Sequence, residues 1–409
     1  MYHRNVENSV RDALLDTPVV LLNGARQTGK TTLALKLATE LSLRYVTLDD
    51  ATILSAAASD PQGFVRDFSQ GVVIDEVQKV TSLFPAIKLA VDSDRRPGRF
   101  LLTGSANILL LPRISESLAG RIEVITLMPL SQGELRDRKE RFVELLFARR
   151  FDTRALDPDF ETNLPELIVK GGFPEIQKRA SQQRRKAWFS SYITTILQRD
   201  VRDLAHIEGL TEMPRLLALL ASRVGGLLNM SELSRSLAIP GTTLKRYISL
   251  LEATFIYQPL AAWSANLGKR LIKSPRIQLV DSGLACLLAG YDETRLAEDA
   301  TFRGHVFECF VTAELKKQAS WSKTSPSIYH YRTASGQEVD VVLEDDRGRL
   351  VAVEIKAAAS VRKEDFLNIE RFAESVGNRF HRGVVVYAGS DAVPFGNNLY
   401  AVPVSHLWH

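Results

Sequence analysis

Gly24-Ala25-Arg26-Gln27-Thr28-Gly29-Lys30-Thr31 fits G-x-x-x-x-G-K-[ST], the spacing of a loop that cradles nucleotide phosphates. Gly24 and Gly29 let the backbone bend tightly, so that the N–H groups of Gly24, Ala25, Arg26, Gln27, Thr28, Gly29, Lys30, Thr31 and Thr32 can face phosphate oxygens. Lys30 has the reach for the β- and γ-phosphates of ATP, and Thr31 can offer its hydroxyl to Mg²⁺. Downstream, Gly71-Val72-Val73-Ile74-Asp75-Glu76 is an apolar run ending in two acids. Asp75 is suited to hold Mg²⁺ directly or through water, and Glu76 to polarise the attacking water. Arg99-Phe100-Leu101-Leu102-Thr103-Gly104-Ser105-Ala106-Asn107 is a third apolar run, whose polar end places Ser105 or Asn107 to sense the γ-phosphate. Arg121 and Arg113 are candidates for an arginine that stabilises transferred charge, with Arg121 favoured.

A second constellation lies near the C-terminus. Gly336-Gln337-Glu338-Val339-Asp340-Val341-Val342-Leu343 and Leu350-Val351-Ala352-Val353-Glu354-Ile355-Lys356 read as two strands joined by the turn Asp345-Asp346-Arg347-Gly348. With period-two alternation Asp340 and Val342 share one face, and Glu354 and Lys356 share a face of the neighbouring strand. The hairpin can therefore gather Asp340, Glu354 and Lys356. Two carboxylates can chelate Mg²⁺ and a lysine can orient or deprotonate water, which is the equipment of metal-assisted phosphodiester hydrolysis. Glu308, an acid among large hydrophobes in Val306–Val311, is a candidate further ligand. The alternative is a surface ion pair between Glu354 and Lys356.

A third pattern occupies the middle of the chain. Met230–Leu237 reads as a short helix with Ser231 as N-cap, Ala238-Ile239-Pro240-Gly241 as a tight turn, and Thr242–Leu251 as a second helix. Leu244, Ile248 and Leu251 fall at i, i+4 and i+7 and pack inward, leaving Thr243, Lys245, Arg246 and Ser249 outward. Phe255–Leu260 fits the strand of a wing. This arrangement lays the second helix in a DNA major groove with Thr243, Lys245 and Arg246 as contacts, or else serves to bind protein.

These residues need a scaffold to hold them. Pro18–Leu22 before the loop reads as a buried strand and Thr32–Ala38 after it as a helix. Residues 16 to about 135 alternate strand and helix as a parallel α/β sheet does, after a lead-in helix over residues 1–15. Gly171-Gly172-Phe173-Pro174 marks a turn after which the chain becomes helical and basic. A chain of 409 residues exceeds one ordinary core. Three domains are expected, at 1–180, 181–270 and 271–409. The net charge of +4 conceals sixteen Lys/Arg against six Asp/Glu in residues 178–280, a basic middle suited to a polyanion such as DNA. No apolar run approaches the ~20 residues of a membrane span, so no membrane partner is expected. The N-terminus lacks the apolar stretch of a secretory signal. Cys286 and Cys309 stand far apart without metal spacing. Both features fit a cytoplasmic location.

Taken together these motifs resemble the bacterial and archaeal AAA-type ATPases with a C-terminal domain of long-unknown function. The resemblance rests on Gly24–Thr32, Val73-Ile74-Asp75-Glu76-Val77-Gln78-Lys79, Leu102-Thr103-Gly104-Ser105 and Ser117-Leu118-Ala119-Gly120-Arg121. It continues through Gly171-Gly172-Phe173-Pro174-Glu175, Asp281-Ser282-Gly283-Leu284 and Gly336–Asp340. Glu354-Ile355-Lys356 is similar to the PD-(D/E)xK nuclease signature. One departure is Cys309, which follows Glu308 where Asn is common in that family. The resemblance implies an α/β fold class with a P-loop AAA-type parallel-sheet domain, a helical winged-helix middle and a C-terminal restriction-endonuclease-like α/β domain. It implies ATP and Mg²⁺ as cofactors, with Lys30, Glu76 and Arg121 catalytic at one site and Asp340, Glu354 and Lys356 at the other. Thr31, Asp75, Glu308, Asp340 and Glu354 are its metal ligands, and Ser105 joins the nucleotide site. The implied function is an Mg²⁺-dependent ATPase coupled to DNA binding and to a nuclease-like domain. A nucleotide switch that binds protein partners through an inactive nuclease fold is the alternative. AAA-type ATPases often form rings, so a homo-oligomer is compatible with this reading.

Overall fold

Short runs of Val, Ile and Leu bounded by glycine or acidic turns form strands buried on both faces, as a parallel sheet requires. The computed structural model describes residues 2–68, 70–107, 118–152, 163–201 and 211–408. The chain divides into two compact units, one comprising Arg4–Pro129 with Leu250–Ile256, the other Met1–His3, Leu130–Ser249 and Tyr257–His409.

In the first unit, β1 (Val19–Asn23), β2 (Arg44–Thr47), β3 (Val72–Asp75), β4 (Phe100–Gly104) and β5 (Ile122–Thr126) form a sheet of order β2-β3-β4-β1-β5. All its pairings are parallel. Strands β1, β3 and β4 are buried along their whole length. The order inserts β4 between β1 and β3, so the loop after β1 and the acids at the end of β3 flank the polar end of β4. Ligand chemistry in open parallel sheets gathers at this carboxyl edge. The lead-in helix is Glu7–Asp16, and Lys30–Glu40 follows the glycine loop.

In the second unit a helical portion precedes a mixed sheet of order β10-β11-β9-β8-β7-β6. Its strands are β6 (Ser327–Arg332), β7 (Glu338–Glu344), β8 (Leu350–Lys356), β9 (Phe380–Tyr387), β10 (Val393–Gly396) and β11 (Leu399–Pro403). Alternating side chains feed two cores. Val341, Leu343, Val351, Val353, Val384 and Val386 join Val306, Phe307 and Phe310 of the helix Ala300–Trp321. Val342, Ala352 and Val385 join Ile369 and Phe372 of the helix Leu367–Val376. The hairpin β7–β8 forms as the alternation predicts, with Val341 opposite Val353 and Val342 opposite Ala352.

Simple alternation fails at one place. The register of β7 against β6 slips, so that Tyr329 pairs with Val342 but Tyr331 with Val339. Val339 and Val342 consequently lie in the same core, with Val341 in the other. One extra residue at Asp340–Val341 makes a β-bulge, a device that re-aims side chains at strand ends. The shared face expected for Asp340 and Val342 does not carry through it.

The helix–turn–helix pattern forms as Met230–Leu237 and Gly241–Ala253, joined through Ala238 in the left-handed region. The N-cap is Asn229, which accepts the Glu232 N–H, and not Ser231. The expected wing strand is present only as isolated pairs, Tyr257 with Leu279 and Leu260 with Arg276.

Candidate functional site

The glycine loop is held open by its own backbone. Gly24 has φ +140°, and a Cβ there would strike the Leu127 carbonyl oxygen. Gly29 has φ +99° and caps the helix Lys30–Glu40, whose first N–H groups and dipole favour an anion at this end. Thr28 is fully buried and donates its hydroxyl to the Ala25 carbonyl at 3.0 Å. The Lys30 ammonium folds onto the loop, donating to the carbonyls of Gly24 at 2.9 Å and Ala25 at 2.8 Å. Arg26 is half-buried, while Gln27, Thr31 and Thr32 are exposed. A residue not foreseen, Arg4, braces the loop from outside it. Its guanidinium donates to the carbonyls of Thr28 and Met128, both at 2.7 Å.

The two acids meet this loop as their positions at the end of β3 require. Thr31 donates its hydroxyl to both Asp75 oxygens at 3.2 Å. Tyr45 donates to Asp75 Oδ2 at 2.9 Å, and the Thr103 hydroxyl donates to Oδ1. Burial, then the Asp75 charge, pushes the Tyr45 phenol up from its ordinary value, keeping it a donor. Asp75 thus carries three hydroxyl donors and, among the described residues, no arginine or lysine hydrogen-bonded to it. Glu76 sits at φ +60°, an unusual conformation for a non-glycine residue that concentrates at functional sites. Its N–H donates to Thr103 Oγ1 at 3.1 Å. Its carboxylate accepts from Ser105 Oγ at 3.1 Å and from Gln78 Nε2, which also lies 2.9 Å from Ser105 Oγ. Among the described residues Gln78 Oε1 is buried without a partner, beside the Glu76 carboxylate. Asn107 does not join this group; its N–H donates to the Ala253 carbonyl at 2.7 Å.

Arg121 is not brought to the loop. It precedes β5, whose first residue Ile122 pairs with Val19, whereas the loop follows Asn23 at the far end of β1. Roughly 16 Å of strand separates the two edges. Arg121 instead donates to Asp92 at 2.6 Å and to the Ala119 carbonyl at 3.0 Å. That contact lowers the Asp92 carboxyl from its usual range. Arg113 lies outside the described residues.

The C-terminal residues are brought together, with an unforeseen guest. Asp340 Oδ2 accepts the Ile355 N–H at 2.9 Å where the β7–β8 ladder ends, and Lys356 Nζ lies 3.0 Å from Glu354 Oε1. Between Asp340 and Glu308 stands the guanidinium of Arg276, 3.1 Å from each, with its second nitrogen 3.5 Å from Glu338. Burial, then the Asp340 charge, raises Glu308 to about 8, and the same causes raise Glu354 to about 8. Burial opposes the charge on Arg276, yet the Asp340, Glu308 and Glu338 carboxylates outweigh it and raise its pKa. Burial likewise works against the charged form of Lys356, and Glu354 more than offsets it. His330 beside them is lowered to about 4 by burial and by Arg276, and its Nε2 lies 3.1 Å from the Ser274 carbonyl. Glu354 Oε2 is buried with no hydrogen-bond partner. Among the described residues no group of three or more His, Cys, Asp or Glu is disposed to hold a metal ion.

On the middle helix, Lys245 and Arg246 are exposed and Thr243 half-exposed, while Leu244 and Leu251 are fully buried and Ile248 nearly so. Among the described residues no helix is long and apolar enough to cross a membrane. Both cysteines are free and buried.

Similarity to known proteins follows the same division. Residues 16–136 match the family model described as an AAA domain. Residues 161–295 and 303–407 match two domains of unknown function, DUF8612 and DUF4143. The uncharacterized protein Rv2008c of Mycobacterium tuberculosis is 33% identical over 409 residues, covering 99% of this chain and 84% of that protein. An uncharacterized protein of Haemophilus influenzae is 24% identical over 292 residues, covering 65% of this chain and 68% of that protein. Among solved structures, the Walker-type ATPase PABY2304 of Pyrococcus abyssi aligns at a TM-score of 0.44 and 17% identity, over 70% of this chain and 96% of that one. The chain belongs to the family of the mycobacterial protein Rv2008c, and its residues 16–136 match an AAA domain.

Proposed function

We propose that the chain is an Mg²⁺-dependent ATPase whose nucleotide cycle drives the contacts of its basic middle with DNA. The convergence of Thr31, Asp75, Glu76, Ser105 and Gln78 beside the glycine loop carries this reading. Thr31 and Asp75 fit Mg²⁺, since a hydroxyl and a carboxylate held, among the described residues, by hydroxyl donors are oxygen donors suited to it. Bound there, the ion would neutralise charge on the β- and γ-phosphate oxygens. The protein's own groups do the rest. Lys30 exchanges the Gly24 and Ala25 carbonyls for phosphate oxygens. Glu76 orients a water and draws its proton as the water oxygen bonds to the γ-phosphorus. The bond from that phosphorus to the bridging oxygen breaks, releasing ADP and phosphate. Ser105 and Gln78 hold the Glu76 carboxylate in place. Arg121 is a candidate only for a nucleotide bound by a second copy of the chain, because its own loop lies across the sheet.

For the middle region the proposal is a winged-helix module reading DNA through Thr243, Lys245 and Arg246, within a domain spanning about 181–270. The excess of basic residues in 178–280 and the exposure of Lys245 and Arg246 support it. Lys245→Ala/Arg246→Ala is expected to weaken salt-sensitive binding to duplex DNA about tenfold or more at constant salt and to flatten the salt dependence. Unchanged affinity in that variant, measured by fluorescence anisotropy, refutes the assignment of these contacts and favours a protein partner.

The C-terminal region, about 271–409, is proposed as a restriction-endonuclease-like domain carrying Asp340, Glu354 and Lys356. As they stand these residues do not fit a divalent ion, because a guanidinium already occupies the space among the acids. No cleavage step is assigned to this site. That observation favours the reading in which the nuclease-like fold is inactive.

A further inference from the structure

The carboxylate cluster of the second unit has four acids, Asp340 and Glu354 buried and Glu308 and Glu338 half-buried. Asp340, Glu308 and Glu338 all face the Arg276 guanidinium, and Glu354 contributes charge beside them. Like charges crowded around buried Asp340 and Glu354 persist only with a compensating cation or with protons. In metal-dependent hydrolysis that cation is the metal. Here it is supplied by the chain. Arg276, its side chain 94% buried, comes from the short segment 274–279, which pairs through its backbone and packs Ile277 and Leu279 inward. Its N–H donates to the Leu260 carbonyl at 2.9 Å and its carbonyl accepts from Leu260 at 3.1 Å. The segment also pairs with Leu227. It therefore belongs to the connection after the helix–turn–helix, not to the sheet that carries the acids.

We propose that Arg276 is the resident cation of this cluster. Its guanidinium stands where a divalent ion would bind, and closes the site to Mg²⁺ while it remains. The inference rests on the nuclease-like reading of the C-terminal domain, and is independent of ATP hydrolysis at the glycine loop. Guanidinium geometry suits the role: a planar fork spans Asp340 and Glu308 from one nitrogen and reaches Glu338 from the other, which a lysine ammonium on a shorter stem cannot match. The Asp340 oxygen not facing Arg276 is bonded to the Ile355 N–H, and Glu354 Oε2 has no partner. Removing the guanidinium takes that partner from the Glu308 and Asp340 oxygens that face it, and carboxylate oxygens are the donors that hard cations take.

The test titrates Mn²⁺ into nucleotide-free full-length chain, read by the loss of free Mn²⁺ signal in electron paramagnetic resonance. An Asp75→Asn background removes the carboxylate at the glycine loop. Asp340-dependent binding is expected to be absent with Arg276 in place. Arg276→Met is expected to bind one Mn²⁺ per chain at least about tenfold more tightly, with that gain abolished by adding Asp340→Asn. The thermal midpoint of Arg276→Met is expected to rise on adding Mn²⁺, while that of the parent is not. Arg276→Lys, which keeps the charge on a shorter stem, is expected to fall between the two. Three results overturn the proposal. One is Mn²⁺ binding in the parent that Asp340→Asn removes. Another is Arg276→Met that folds but binds no more Mn²⁺ than the parent. The third is a nuclease activity of wild-type protein that Asp340→Asn abolishes. If Arg276→Met does not fold with or without Mn²⁺, the parent and Arg276→Lys titrations decide it. Equal binding in those two counts against the proposal, and graded binding supports it. Loss of ATP turnover in wild type would refute the ATPase reading and leave these titrations unaffected.

Discussion

Two buried acidic sites in this chain are satisfied in opposite ways. At the glycine loop Asp75 is surrounded by the hydroxyls of Thr31, Tyr45 and Thr103. In the C-terminal sheet Asp340 is matched to the guanidinium of Arg276. Hydroxyl donors hold a carboxylate in position without cancelling its charge, so the charge remains for an incoming cation. A guanidinium holds it as well and cancels it, and charge-assisted pairs of this kind are stronger than neutral ones. Breaking such a buried pair by removing one partner is strongly destabilising. A carboxylate cluster is therefore a candidate metal site only when its structural partners are neutral. By that criterion the first site is built for turnover and the second is built closed.

The largest effect expected from this comparison is at Glu76. Glu76→Gln keeps the shape of the side chain and the oxygen that accepts from Ser105, but removes the charge that draws a proton from water. We expect kcat for ATP to fall by about 10²–10⁴-fold, with nucleotide affinity nearly unchanged. Fluorescent-nucleotide titration beside steady-state phosphate release separates the two. A variant with full turnover would mean that Glu76, despite its left-handed backbone and its two side-chain donors, is not the group that handles the water.

A smaller effect is expected at Gln78, and it tests whether neutral donors position the base. Its Nε2 bridges Glu76 and Ser105 while its Oε1 has no partner. Gln78→Ala removes the bridge and leaves Ser105 as the remaining side-chain donor to Glu76. We expect kcat to fall about tenfold, the cost of one hydrogen bond to a charged group, with KM little changed. Combining it with Glu76→Gln should cost less than the product of the two losses, since both act through one carboxyl. Equal losses in kcat and in affinity would instead assign Gln78 to nucleotide binding.

Much of the first site was legible in the sequence, and most of the second site's behaviour was not. The difference is one of range. The loop from Gly24 to Thr31 is continuous chain whose function lies in its backbone, and Asp75 and Glu76 are reached by following a strand to its end. Tyr45, Thr103 and Gln78 are polar residues without a spacing rule, so their convergence on the acids appears only once the sheet order is known. Arg121 was misjudged for the same reason. Adjacency in a motif does not say at which edge of a parallel sheet a residue will stand, and the pairing of Ile122 with Val19 puts it at the wrong one. The β7–β8 hairpin follows from period-two alternation, but the bulge at Asp340–Val341 breaks the face expected for Asp340. Arg276, sixty-four positions from Asp340 on an irregular segment, was not visible by any periodicity, nor was the extra residue at the bulge. The helix–turn–helix, by contrast, followed from Leu244, Ile248 and Leu251 at helical spacing, and only its cap moved, from Ser231 to Asn229.

A third buried acid sharpens the comparison through pH. Glu140, in the second unit, accepts from the Ser131 hydroxyl and from the Gly133 N–H at 3.0 Å, much as Asp75 accepts from hydroxyls. Burial, then the neighbouring Glu314 charge, raises it to about 8 against an ordinary 4.5. Lys317 is committed to Glu314, at 2.6 Å, and to the Leu130 carbonyl. Burial and the Glu314 charge outweigh these donors and the charge of the nearby Arg136, and this carboxyl is protonated at neutral pH. Because the folded state holds the proton more tightly than the unfolded chain, its contribution is fully present below about 4.5. It is lost as pH rises through about 8, so stability falls across that window. Glu140→Gln carries no such titration, and its thermal midpoint should decline less between pH 5 and pH 8 than that of wild type. The shift is expected to be a few degrees, smaller than the kinetic effects above, and differential scanning calorimetry at several pH values reads it. Parallel pH profiles in the two proteins would mean that Glu140 does not change its protonation on folding, and that burial and Glu314 do not dominate its titration.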